Sequence, residues 1–361
     1  MNISMMDGEM LLMLIGLFVV SFAFSLIINK FLLKFAKTLG IRNTGEAIIR
    51  WSATSKPSLG GISFFIVFLF SVIWVSFLRN GDSEFFNLQT FGLIISVIIG
   101  FLLGLFDDAY NTKPWIKFFT QIMCGIILIA TGTHIQLFEI DFFNYALTVF
   151  WVVGMMNSIN MLDNMDGITT IVSISVLLSF LLSIFLGSEF QNPYLIIILG
   201  VMASLAGFMF YNWHPSKMYM GDTGSQFLGV LLAALGIQFL WNGDFGFTGA
   251  LFMQQLLSVL IVFALPIIDT TTVFIKRISA GNSPFIGGKD HTTHHISYLG
   301  VSDKWVAIIF AILSAISVVL FLGIDVYFKN WGTFHVLVLA GYFFLLFGVL
   351  FIIANLNKHQ N

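Results

Sequence analysis

Eleven apolar stretches, separated by short polar ones, divide this chain of 361 residues, and each is close to the length a helix needs to cross a bilayer. A crossing helix takes roughly 20 apolar residues. The stretches lie near 10–29, 62–78, 91–106, 115–131, 143–159, 168–187, 193–211, 223–241, 249–275, 305–323 and 332–354. They are too long and too continuous for barrel strands, whose side chains alternate between lipid and lumen. With 58% of residues hydrophobic and 9% charged, no part of the chain reads as a separate soluble domain. The expected fold is all-α: a polytopic membrane protein of about eleven transmembrane helices, forming a single domain over 1–361.

An odd number of crossings puts the termini on opposite faces, and the basic residues decide which is which. Fourteen of the sixteen lysines and arginines fall in the odd-numbered connections and the C-terminal tail, among them Arg42, Arg50, Lys113, Lys217 and Lys358. Only Arg79 and Lys329 fall on the other face. The positive-inside rule makes the first set cytoplasmic, with the N-terminus outside and the C-terminus cytoplasmic. The expected location is a bacterial-type cell (inner) membrane. A net charge of −2 gives no cause to expect nucleic acid. The first stretch has neither a basic leader nor a small-residue cleavage site, so it reads as a retained helix. Cys124 stands alone inside an apolar stretch, where packing is its expected use.

The cytoplasmic segments 30–61, 107–117, 160–167, 212–222 and 276–304 gather the unusual polar residues and are expected to form the active face. Asp107 and Asp108 end the third stretch. Adjacent carboxylates repel, so a cation or a metal-bound phosphate between them would account for both, and Lys113 and Lys117 follow to pair with phosphate or with the acids. The alternative is a pair of interfacial acids. Asn157, Asn160, Asp163 and Asp166 recur every third residue, so successive members share a helix face that does not meet lipid cheaply. Their oxygens suit Mg²⁺, which takes one or two protein ligands plus substrate phosphate; a helix–helix hydrogen-bond network is the other reading. Gly221-Asp222-Thr223-Gly224-Ser225 brings permissive glycines to a helix start, where backbone amides favour anions, although a plain helix cap fits the same residues. His291, His294 and His295 follow Gly287-Gly288-Lys289-Asp290. They could bind zinc, but the His-Glu-x-x-His pattern is missing, and imidazoles gripping diphosphate oxygens with Lys289 fit the rest better. Asp269, close in sequence to Lys276 and Arg277, needs a partner at its depth, and a structural ion pair is the expected use.

In chain order, Lys56-Pro57-Ser58-Leu59-Gly60-Gly61-Ile62, the acid pair, the Asn160/Asp163/Asp166 run, the Gly-Asp-Thr-Gly-Ser turn, Pro266-x-x-Asp269 and the loop from Ser283-Pro284-Phe285 to His295 resemble the polyprenyl-phosphate N-acetylhexosamine-1-phosphate transferases. The resemblance runs along almost the whole chain. It implies a Mg²⁺-dependent enzyme, with Mn²⁺ an acceptable substitute, that transfers a sugar 1-phosphate from a UDP-sugar to polyprenyl phosphate and releases UMP. It also implies catalytic roles for Asp107, Asp108, Asp163 and Asp166, the first two positioning or deprotonating the lipid phosphate. Mg²⁺ would sit on Asn160 and Asp222. Substrate contacts would come from Lys56, Lys117, Asn212, Tyr219, His291, His294 and His295, with Tyr219 stacking on uracil and the histidines on the diphosphate. The histidines are split by Thr292 and Thr293, and Asn111 follows the acid pair. Both features resemble the branch that uses UDP-N-acetylglucosamine to start cell-envelope polysaccharides more than the phospho-MurNAc-pentapeptide branch, which is the alternative. The partners implied are the UDP-sugar, the polyprenyl phosphate and the membrane, and a homodimer is allowed. A cation-coupled transporter would need polar groups at the midplane and access from both faces. A zinc membrane hydrolase would need the histidines on metal.

Overall fold

The computed structural model describes residues 8–39, 56–78, 87–187, 189–190, 192, 194–243, 251–283, 287–324 and 332–356. Arg42, Arg50, Arg79, Lys329, Lys358 and the Pro284-Phe285 step of the histidine loop lie outside the described residues. Each apolar stretch is helical. The helices are α1 (Gly8–Leu39), α2 (Gly60–Leu78), α3 (Leu88–Tyr110), α4 (Pro114–Ala130), α5 (Asp141–Leu162), α6 (Ile168–Leu186), α7 (Tyr194–Asn212) and α8 (Gly221–Gly236), which runs on through a π turn at Ile237–Trp241. They continue with α9 (Leu251–Val262), α10 (Ala264–Ser279), the short α11 (Thr292–Tyr298), α12 (Asp303–Leu322) and α13 (Thr333–Leu356).

Among the described residues, eight helices are long and apolar enough to cross a membrane, α8 counted with its π turn. The helices α2 and α4 are apolar but shorter, and α9 with α10 passes the same test as a pair bent by 78°. The ninth stretch is therefore not one straight helix. The pair is apolar enough for one span, but Pro266 has no N–H to give the carbonyl of Val262, and the axis breaks there.

The axis of the bundle is α8, which is buried almost throughout, and α2, α3, α5 and α6 pack around it. In lipid such packing relies on small residues that let backbones approach. A Cβ on Gly104 of α3 would fall on the carbonyl of Asp222. The segment before α2 is pinned to the segment before α8: the Tyr219 N–H donates to the Pro57 carbonyl at 2.9 Å, and the Gly61 N–H to that of Met220 at 3.0 Å. The starts of α2, α4 and α8 and the ends of α3 and α5 consequently meet at one end of the bundle, where α11 closes the side.

Candidate active site

Two acids sit in the last turn of α3, where the helix macrodipole disfavours negative charge. Their partners lie on other elements. Asp108 faces the N-terminus of α8: it accepts the Asp222 N–H at 3.1 Å and the N–H and hydroxyl of Thr223 at 2.8 and 2.7 Å. Gly221, at φ +76°, makes the turn that brings those amides onto Asp108, and a Cβ there would meet the same carboxylate. Asp108 thus caps the helix that carries Asp222. Asp107 accepts the N–H and hydroxyl of Thr112 at 2.9 and 2.7 Å and pairs with Lys117. The same Lys117 ammonium lies 3.4 Å from Asp222. It bridges two carboxylates that would otherwise repel. Asn160, near the end of α5, donates to Asp222 at 2.9 Å and to Ser225 at 2.8 Å.

The turn between α5 and α6 supplies the second group. Burial pushes the Asp163 carboxyl up to about 7, and the nearby charges of Asp108 and Asp166 add to the rise. Asp166 moves the other way. Burial opposes its charge, but the Ser216 hydroxyl and N–H, at 2.6 and 2.9 Å, with Lys56 and His214, hold it below the usual carboxylate range. Lys56 stands 3.6 Å from Asp166 and 5.1 Å over the Tyr219 ring, so one face of that ring already carries a cation. Asn212 is buried and engaged: it accepts the Gly167 N–H and the Thr170 hydroxyl and donates to the Met218 carbonyl. It fastens the turn that holds Asp163 and Asp166.

In the histidine loop, Asp269 has a different partner from the one its sequence neighbours suggested. It accepts from His291 Nδ1 at 2.8 Å and from the Thr292 N–H and hydroxyl at 2.8 and 2.6 Å. Lys276 and Arg277, the cations nearest to it in sequence, engage other partners. Arg277 grips Asp290 through two nitrogens at 2.8 and 2.7 Å, and Lys276 contacts His295 and the Ala354 carbonyl at 2.6 Å each. With Nδ1 donating to Asp269, His291 keeps Nε2 for a ligand. Burial, and then the proximity of His291, pushes His294 down to about 3; burial and Lys276 push His295 down to about 4. Both imidazoles are neutral near pH 7. The Thr293 hydroxyl donates to Asn164 at 2.6 Å, tying α11 to the α5–α6 turn.

A single cavity of about 1570 Å³ joins these groups. Of the site residues expected from sequence, Asp108, Lys117, Asn160, Asp163, Asp166, Tyr219, Asp222, His291 and His294 are on its wall. Lys56, Asp107, Asn212 and His295 are not among the lining residues and contact those that are, or the turns that carry them. Below the polar end the cavity continues as a groove between α4, α5, α9 and α10, lined by Trp115, Phe118, Phe150, Trp151 and Phe274. The helices α9 and α10, bent by 78° against each other, contribute Leu256, Leu260 and Phe274 to it. Among the described residues no three His, Cys, Asp or Glu side chains converge as a metal cage. That weakens the zinc alternative, which needs several protein ligands at one point. It does not weigh against a Mg²⁺ site, which is completed by substrate phosphate. Asp222 is a third exposed, towards the cavity, and Asn160 beside it keeps its carbonyl oxygen free of donors among the described residues, so these two fit a hard cation.

Sequence reasoning left Gln121 and Gln226 aside. Both are buried on the cavity wall, and each stands four residues deeper than a charged site residue, Lys117 or Asp222, in an otherwise apolar helix. That spacing was the available signal.

Residues 90–240, from α3 through α8, match the family model described as glycosyl transferase family 4. The matched stretch includes the acid pair, the α5–α6 turn and the start of α8. The chain is 28% identical over 257 residues, 69% of its length and 67% of the relative's, to the probable undecaprenyl-phosphate N-acetylglucosaminyl 1-phosphate transferase of Bacillus subtilis (strain 168). It is 29% identical over 267 residues, 69% of its length and 76% of the relative's, to the phospho-N-acetylmuramoyl-pentapeptide-transferase of Streptococcus agalactiae serotype Ia. The corresponding protein of Lactobacillus gasseri is 28% identical over 335 residues, 84% of this chain and 97% of the relative.

Proposed function

From the match of residues 90–240 to the glycosyl transferase family 4 model, we propose that the chain is a transferase of that kind, which moves N-acetylglucosamine 1-phosphate from UDP-N-acetylglucosamine to a polyprenyl phosphate at the cytoplasmic face of the membrane. One observation carries the reading: a charged, water-facing cluster and an apolar groove belong to the same cavity. A water-soluble nucleotide sugar and a membrane lipid can meet only where such surfaces adjoin. The Bacillus subtilis relative is named as a probable enzyme of this activity.

Each end of the cavity suits one substrate. The groove of Trp115, Phe118, Phe150 and Trp151 takes the isoprenoid chain, and Lys117 at its head takes the lipid phosphate. His291, oriented by Asp269, and neutral His294 offer ring nitrogens to the nucleotide diphosphate. An oxygen of the lipid phosphate attacks the β-phosphorus, a P–O–P bond forms as the bond to the α-phosphate breaks, and UMP leaves. Asp222 and Asn160 would hold Mg²⁺, whose chemistry when bound is to offset the charge on the phosphates. A phosphate monoester is largely dianionic near neutrality, so the chain supplies position more than strong base. Asp163 is the group on the wall that can take up a proton from residual monoanion.

Relatives named for transfer of a phospho-N-acetylmuramoyl-pentapeptide make that substrate the second reading. The test is to incubate the purified protein in lipid nanodiscs with Mg²⁺, undecaprenyl phosphate and either UDP-N-acetylglucosamine or UDP-N-acetylmuramoyl-pentapeptide, and to weigh the lipid product. Release of UMP with a mass gain of one N-acetylglucosamine phosphate is expected. A product from the muramoyl substrate alone would select the second reading, and no product from either would reject both.

A further inference from the structure

Directly beneath the charged layer lies a layer of three carboxamides on the same three helices. Lys117 of α4, Asp222 of α8 and Asn160 of α5 form the upper layer; Gln121, Gln226 and Asn157 are their counterparts four, four and three residues deeper. That is about one helical turn, roughly 5 Å, further into the membrane. The lower layer is bonded within itself: Gln121 Nε2 donates to Gln226 Oε1 at 3.2 Å and to Asn157 Oδ1 at 3.4 Å, and Asn157 Nδ2 donates to Gln121 Oε1 at 2.8 Å. Gln226 is 2% exposed, lines the cavity, and through its Nε2 donates to no described residue. A carboxamide donor left open at that depth is costly unless a ligand uses it.

Resting on the transferase reading, we infer that Gln226, steadied by Gln121 and Asn157, is a lipid-phosphate-positioning residue whose Nε2 donates to the acceptor phosphate oxygen nearest the isoprenoid chain. The place follows from the cavity. A lipid whose phosphate meets Lys117 and whose chain descends between Phe118 and Trp151 passes the carboxamides at its first atoms. The choice of residue follows from the chemistry. A second cation there would neutralise the attacking phosphate and blunt it, and it would need a counter-charge in a dry groove. A neutral donor orients the phosphate without withdrawing its charge.

Two variants test this in nanodiscs. Gln226→Glu keeps the oxygen that Gln121 bonds but replaces the donor by an acceptor and adds a negative charge; Gln226→Met removes both donor and acceptor without charge and keeps the volume. For each, KM is measured separately for undecaprenyl phosphate and for UDP-N-acetylglucosamine, with thermal unfolding alongside. Loss of a hydrogen bond to a charged group predicts a rise in lipid KM on the order of ten-fold or more, with the nucleotide KM within about two-fold. The expected effect of Gln226→Glu is the larger one, because its charge repels the phosphate. Unchanged lipid KM in both, equal loss for both substrates, or failure of both variants to fold would assign the layer to helix packing and overturn the inference. If wild type itself turns over no substrate, it is the transferase reading that has failed.

Discussion

Asp163 is an acid that the fold holds near neutrality. Burial raises it to about 7 and the charges of Asp108 and Asp166 add to that, whereas Asp166, three residues on, is drawn below the ordinary range by Ser216, Lys56 and His214. Residues of one stripe thus take different protonation states. If Asp163 accepts a proton during turnover, it is active when ionised, so the rate should rise with pH through about 7 and then level. The lipid phosphate titrates nearby, with a second pKa of about 6, so a limb alone is ambiguous. Asp163→Asn separates them: turnover should fall on the order of 100-fold, and the limb near 7 should give way to that of the phosphate alone. A limb that stays unchanged in the variant would remove Asp163 from proton transfer. The stripe itself was legible, because polar residues every third position inside an apolar segment have few other uses. The division of labour within it was not, since it depends on Ser216 and Lys56, which come from distant parts of the chain.

Helices carried most of what the sequence could tell, because a continuous apolar run permits little else in lipid. What it could not tell was how two helices meet end to side. The junction of α3 with α8 sets Asp108 on the Thr223 amide and brings Asp107 and Asp222 to one lysine, and Gly104 is where the backbones touch. Gly104→Ala should therefore push the α8 N-terminus away, costing about 1–3 kcal/mol of stability. Turnover should fall further than the melting temperature alone explains, because Asp222 moves with the backbone; thermal unfolding and activity measured on the same sample check this. The bend between α9 and α10 was equally hidden, as Pro266 marks a kink but not its angle. On α11 the histidines add a pH effect. His294 and His295 titrate at about 3 and about 4, against 6.5 for an unrestrained imidazole. The unfolded loop therefore binds more protons between those values, so stability is fully present above 6.5 and is lost as pH falls below it. Protection factors across 287–298, in which the intrinsic slowing of exchange in acid is divided out, should fall between pH 7 and 5, and His294→Asn should flatten that change. Protection that is flat in the wild type would show that the two imidazoles ionise freely.

At the scale of the whole molecule, every chemically distinctive group lies at one end of the bundle, and orientation decides which substrates reach it. A UDP-sugar is a cytoplasmic metabolite, so the transferase reading requires that end to face inward, as does the basic bias of the connections that carry Lys113, Lys117, Lys217, Lys289 and Lys304. The opposite connection between α4 and α5 carries Glu139 and Asp141 and no lysine or arginine. The chain offers a clean way to test this, because Cys124 is its only cysteine and is fully buried, so native background labelling should be low. Exposed positions are available at both ends: Lys113 and Ser302 at the site end, Asn87 and Glu139 at the other. In intact cells, a membrane-impermeant maleimide should label Asn87→Cys and Glu139→Cys, and should reach Lys113→Cys and Ser302→Cys only after the membrane is opened. The reverse pattern would put the carboxylates, Lys117 and the histidines outside, beyond any cytoplasmic nucleotide sugar, and the function would have to be sought among extracellular substrates of the same cavity.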